Sequence, residues 1–176
     1  MRPPLLPEEI LHRVIKLSRL NGWSVAIFAG LCAAGSLAFG DFLGASVGLL
    51  VTLGGAMEVR GCRMLRRDDA GGMRWLVRSQ LVVLAVICAY AISRLLSYDD
   101  QVVRQAMTPQ MRASLRELGF TMEDILPLAR QFNRILYGSV MAAALIYQGG
   151  MALHYLRRTP AVERALSPAG SAGRRS

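Results

Sequence analysis

Charge is scarce over long stretches of this chain. Between Trp23 and Met57 a single charged side chain occurs, Asp41, next to Gly40 near the middle of the run. Helices of soluble domains carry a charged face opposite their apolar one, so a run of this kind excludes an ordinary soluble bundle. Cysteine is also sparse. Cys32, Cys62 and Cys88 are widely spaced with no CxxC pair, which gives neither a disulfide framework nor a zinc site. Two of them fall inside apolar runs and read as small buried hydrophobes. Histidine occurs twice, as His12 and His154, without HExxH or other ligand spacing. There is no GxSxG elbow and no Walker loop, and no carboxylate is expected at the middle of a span, where an ionisable group would mark a functional site. No cofactor, metal or catalytic residue is therefore expected.

What remains is apolar sequence punctuated by arginine. Hydrophobic residues make up 53% and charged residues 19%, with a mean hydropathy of +0.33, values that suit a small multi-span membrane protein. A helix needs roughly 20 residues to cross a hydrocarbon core. The 20–39 and 42–59 segments are each about that long and fold back at Gly40–Asp41. Two further spans are expected over 75–97, opened by Trp75 at interfacial depth, and 135–156, with Tyr137 and Tyr155 as aromatic anchors near its ends. The predicted fold is all-α, with four transmembrane helices arranged as two hairpins. A cleaved signal peptide fits poorly, because no A-x-A site ends the first apolar run and a second run follows at once.

The connecting pieces are more polar. Residues 1–19 read as an amphipathic tail: Ile10, Leu11, Val14, Ile15 and Leu17 fall on one arc, and His12, Arg13, Lys16 and Arg19 on the other. Such a helix is expected to lie in the interface among anionic headgroups. The 60–74 segment is a basic loop that turns at Asp68–Gly72. The 98–134 segment is nearly charge-balanced and reads as a helical cap, with Thr108-Pro109 opening one helix. Gly119 closes that helix, and Thr121 with Asp124 forms a capping box for the next, which is expected to kink near Pro127. The 157–176 tail, rich in Ser, Pro, Gly and Arg, is expected to be disordered.

Small residues recur every four positions in the first two spans. Gly30 and Ala34 on one, and Gly44, Gly48 and Thr52 on the other, form ridges that let helices approach closely in lipid. The ridges serve either each other or self-association. Polar residues toward the ends of spans, Glu58, Gln80, Gln148 and His154, are read chiefly as interhelical hydrogen-bonding groups, with Glu58 paired to Arg60 or Arg78. A polar pocket is the sharper alternative.

The formal net charge is +9 and the pI near 10.5, which in a soluble protein would suggest nucleic acid. Its distribution points to topology instead. The N-terminal tail, the 58–78 stretch and the C-terminal tail hold 15 basic and 6 acidic residues, and the rest of the chain holds six of each. Cytoplasmic segments collect Lys and Arg, so both termini are expected on the cytoplasmic side of a bacterial inner membrane. Arginine supplies every basic residue except Lys16, the bias of a GC-rich bacterial genome. Arg13, Lys16, Arg19, Arg66, Arg67, Arg157 and Arg158 are the expected headgroup contacts, and no nucleic-acid partner is expected. The leading functional expectation is a non-enzymatic accessory or scaffolding protein that forms a homo-oligomer or joins a membrane-protein partner. A small transporter or channel subunit with a polar path near Gln80 and Gln148 is the alternative, and a membrane enzyme comes third.

Overall fold

The computed structural model of the protein describes residues 6–167, and among these the secondary structure is entirely helical. The elements are α1 (Pro7–Ala38), α2 (Phe42–Leu65), α3 (Gly72–Leu96), α4 (Asp100–Ala106), α5 (Pro109–Glu117) and α6 (Met122–Leu166). The four long ones, α1, α2, α3 and α6, are each long and apolar enough to cross a membrane. This is the pattern of a multi-pass membrane protein. At 45 residues, α6 has a contour of about 67 Å, well beyond a hydrocarbon core of about 30 Å.

Local chemistry explains the boundaries. Pro7 sits at the start of α1, with Glu8 and Glu9 in its first turn, where a missing N–H costs nothing and negative charge meets the positive end of the dipole. The helix ends at Gly40, whose φ of +73° suits a residue without a Cβ. The Gly40 N–H donates to the Leu37 carbonyl and the Asp41 N–H to that of Ser36. Asp41 then accepts from the Gly44 N–H at 3.0 Å and caps α2. Two adjacent residues thus close one helix and open the next. The Thr108 side chain caps α5 with Pro109 at its first position, and Thr121 donates both its N–H and its hydroxyl to Asp124 at the start of α6.

The chain divides into two compact units, residues 1–87 with 144–176, and residues 88–143. In the first, α2 lies between α1 and α3 and presents glycines to both. A Cβ on Gly48 would come within 2.8 Å of Ala33 Cβ, and one on Gly55 within 2.8 Å of the Ala26 nitrogen and the Gly22 carbonyl. On the other side Gly54 meets Val83, and Gly61 meets the Gly72 carbonyl. The two ridges on α1 and α2 therefore face each other within one molecule. The contact stripe on α1 is Gly22, Ala26, Ala29 and Ala33, while Ala34 is exposed. A strict four-residue repeat drifts about 40° per step on a helix of 3.6 residues per turn, so the expected ridge has left the contact at Ala34. Gly30 faces Thr52, and Gly44 sits against Ser36 and its own capping Asp41.

One end of this unit has a continuous apolar core of Leu11, Val14, Leu65, Met73, Leu76, Tyr155, Val162 and Ala165. Several expectations are corrected here. Residues 7–19 are not a separate interfacial helix but the first turns of α1, and Leu11 and Val14 are buried in protein. The 60–74 loop shrinks to residues 66–71, because α2 runs on to Leu65 and α3 begins at Gly72. The 157–166 part of the expected disordered tail is helical, with Val162 and Ala165 buried; residues 168–176 lie outside those described. In each case apolar side chains find a protein partner that the local sequence does not reveal.

The second unit carries several polar contacts alongside the buried Ala91 and Leu126. Arg130 pairs with Asp100 at 2.7 Å, and the Arg94 Nε donates to the Tyr137 hydroxyl at 3.3 Å. Tyr137 also meets Tyr90 edge-on at 6.0 Å. No residue of α5 is buried, and Met111 on it and Leu118 at its C-cap are exposed.

These contacts predict opposite outcomes for glycines on different helices. Gly55→Ala forces α1 and α2 apart and should cost on the order of 1–3 kcal/mol. Gly150→Ala enters open space and should be neutral or gain up to about 1 kcal/mol from helix propensity. Thermal unfolding of the two variants in the same detergent checks the contrast.

Candidate functional site

Close approach of α1 and α2 brings two polar groups into reach of each other inside an apolar unit. A Cβ on Gly22 would lie 3.2 Å from the Glu58 Cβ, so the α1 backbone runs directly past Glu58. Its neighbour Asn21 donates from Nδ2 to the Glu58 Oε2 at 2.7 Å. From α6 the Tyr155 hydroxyl donates to Oε1 at 2.6 Å, and from α3 the buried Gln80 side chain reaches the same carboxylate. All four long helices converge on one side chain. Glu58 is 2% exposed and Tyr155 fully buried.

The network continues outward. The Tyr147 hydroxyl donates to the Asn21 Oδ1 at 2.7 Å, and Tyr147 is 54% exposed. A chain of polar contacts thus runs from a surface tyrosine through an amide to the buried carboxylate. Inside a medium of low polarity each bond gains strength, and an unpaired member costs correspondingly more. Two acceptors remain open: the Oε1 atoms of Gln80 and Gln148 are buried with no hydrogen-bond partner among the described residues.

The expected polar cluster is therefore assembled in part. Glu58 and Gln80 meet. Gln148 is buried on α6, two turns from Tyr155, with its carbonyl oxygen open. His154 does not join them. Its ring meets Tyr155 edge-on at 6.0 Å, and it lines a separate surface groove with Gly150, Leu153, Arg157 and Arg158. Glu58 does not pair with arginine: its partners among the described residues are Asn21, Gln80 and Tyr155, while Arg60 stacks over the Trp75 ring at 4.6 Å. Tyr155 is a buried donor, not an interfacial anchor.

Asn21, Tyr147 and Tyr155 escaped the sequence reading. Asn21 did carry a signal, as the only amide side chain before Gln80 and set at the edge of an apolar run. The tyrosines carried none, since an anchor and a buried donor have the same local sequence. The expected headgroup contacts also separate in space. Lys16, Arg19 and Arg66 line one groove, Arg157 and Arg158 another, and Arg13 lies by Glu8, Glu9 and His12. Arg67 is exposed in the 66–71 turn.

Comparison with protein families, with characterised proteins and with solved structures finds no match to this chain. Its functional reading rests on the geometry above.

If Glu58 is the shared acceptor, its donors are energetically coupled. Tyr155→Phe and Asn21→Leu should each destabilise by about 1–3 kcal/mol, because each strips a bond from a buried carboxylate. In a Glu58→Leu background both effects should shrink markedly. A double-mutant cycle by thermal unfolding in detergent measures the coupling, and strict additivity would contradict the shared node.

Proposed function

We propose that this chain is an integral inner-membrane protein of bacterial type with both termini cytoplasmic, acting as a non-enzymatic accessory or scaffolding subunit. The observation that carries the reading is the closed node at Glu58. Four long helices each commit a polar side chain to it, and five surface grooves among the described residues are lined by other side chains. A node of that kind fixes the register of a rigid framework. The outer surface, by contrast, is left for partners. On α6 the positions of Gly138, Gly149 and Gly150 have no atom of the described residues within 4 Å of where a Cβ would stand, and small residues of that sort admit a neighbouring helix in lipid. The corresponding glycines of α2 are already occupied by α1 and α3, so association through Gly44 or Gly48 is not part of the proposal.

Topology follows from charge. The 15 basic residues of the two tails and the 58–78 stretch favour the cytoplasmic side. If the α1–α2 turn marks the outer boundary, Glu58 lies 16 residues from Phe42, or about 24 Å in, just inside the inner edge of the hydrocarbon core. A cysteine placed at Gln110 in a chain freed of its native cysteines should react with an impermeant thiol reagent in intact cells, and one at Ser176 should not. The reverse pattern would invert the map.

A second reading, a small transporter or channel subunit, is favoured by the open acceptors of Gln80 and Gln148. The two readings separate in one pair of variants. For a scaffold, Gly149→Leu should reduce crosslinked complexes recovered from membranes at least several-fold with melting unchanged, and Gln148→Leu should leave them intact. For a transporter, proton or monovalent-cation flux in proteoliposomes should be present and lost in Gln148→Leu.

A further inference from the structure

A groove of about 430 Å³ runs beside α1 where α2 ends. Its cations are Lys16 and Arg19 from α1 and Arg66 from the C-cap of α2, all exposed, and its apolar lining is Ile15, Leu20 and Trp23. His12 closes the end nearer the N-terminus. The positions 12, 16, 19 and 23 are spaced by four, three and four residues and share one helix face. Along that face the order is fixed: titratable and cationic groups first, then an indole, then open apolar surface. Leu20 and Trp23 are 70% and 49% exposed, and Ile27 and Phe28 beyond them are exposed as well.

Distances along the helices match this order to a bilayer. Counting from Phe39, which is 92% exposed at the α1–α2 turn, Trp23 lies about 24 Å away, Arg19 about 30 Å and Lys16 about 35 Å. Counting from Phe42, Arg66 lies about 36 Å away. A hydrocarbon core is about 30 Å thick, with headgroups adding several ångströms on each side. The three cations thus share one level just outside the hydrocarbon, and the indole sits just within it, where tryptophan is favoured.

We infer that this groove is a binding site for one anionic glycerophospholipid of the inner leaflet, its phosphate held by Lys16, Arg19 and Arg66 and its acyl chains lying along Leu20, Trp23 and Ile27. The inference rests on the membrane placement proposed above. A diffuse basic surface would attract anionic lipid without selecting a position. Here two helices aim cations at one groove whose apolar floor continues toward the acyl region, and a phosphodiester with chains attached is complementary to both parts. The Arg157 and Arg158 pair lines a different groove and serves as the internal comparison.

Trp23 reports on its own site. The chain has one other tryptophan, Trp75, so Trp75→Phe leaves a single fluorophore, its fold checked by thermal unfolding. Reconstituted in bilayers, that protein should be quenched by lipids brominated on their acyl chains. Brominated phosphatidylglycerol should compete at Trp23 over brominated phosphatidylcholine by a ratio on the order of a hundredfold, since each of the three basic groups near the surface contributes about fivefold. Lys16→Gln, Arg19→Gln and Arg66→Gln together should bring the ratio close to one. Arg157→Gln with Arg158→Gln should leave it unchanged. Equal quenching by both lipids in the starting protein would overturn the site while keeping the membrane placement. Absence of quenching by either lipid would overturn the placement itself. Loss of the preference on adding millimolar inorganic phosphate would assign the groove to a free phosphate and overturn the lipid.

Discussion

The first compact unit depends on hiding one carboxylate. Taking an ionisable group out of water costs several kcal/mol unless its oxygens are met by well-placed donors, and Glu58 is met from three other helices. Each donor has to arrive at one height and one rotation. Asn21 fixes α1, Gln80 fixes α3 and Tyr155 fixes α6 relative to α2. Apolar contacts tolerate sliding by a turn; a hydrogen-bonded carboxylate does not. The polar node therefore selects one register from the many that a set of greasy helices could adopt.

Glycine makes that node possible. Gly22 and Gly55 let α1 and α2 approach until Asn21 is within 2.7 Å of Glu58, and Gly54, next in the chain to Gly55, does the same toward α3. In lipid no hydrophobic force acts between helices, and close packing and interhelical hydrogen bonds take its place. Here the two act together: the small residues bring backbones near, and the polar residues lock what has come near. Farther along α2, past Glu58, this arrangement gives way to an ordinary apolar core in which Leu11, Leu65, Leu76 and Val162 are buried. Ile15 packs against that core and also lines the groove at Lys16, Arg19 and Arg66.

What could be read from residues in order was whatever has a local cause. Four long apolar helices, the turn at Gly40–Asp41, the cap at Thr108-Pro109 and the stop at Gly119 each follow from a few neighbouring residues whose chemistry permits one backbone solution. The excess of arginine in three segments is equally visible without coordinates. Glu58 and Gln80 stood out as polar residues in apolar surroundings, though nothing nearby in the chain named their partners.

Tertiary structure decided everything that depends on which face meets which. The apolar arc of residues 10–17 would look the same against lipid or protein, and only packing in one cluster with Leu65 and Val162 shows that Leu11 and Val14 are core. Tyr155 and Glu58 are 97 residues apart, so no local pattern links them. The small-residue ridge was legible as a kind of surface, but its members shifted from Ala34 to Ala33 because helical geometry, not sequence interval, determines contact. Sequence specifies the elements because backbone propensity and capping act over a few residues; their assembly is specified by close approach and buried hydrogen bonds, which act between residues the chain keeps far apart.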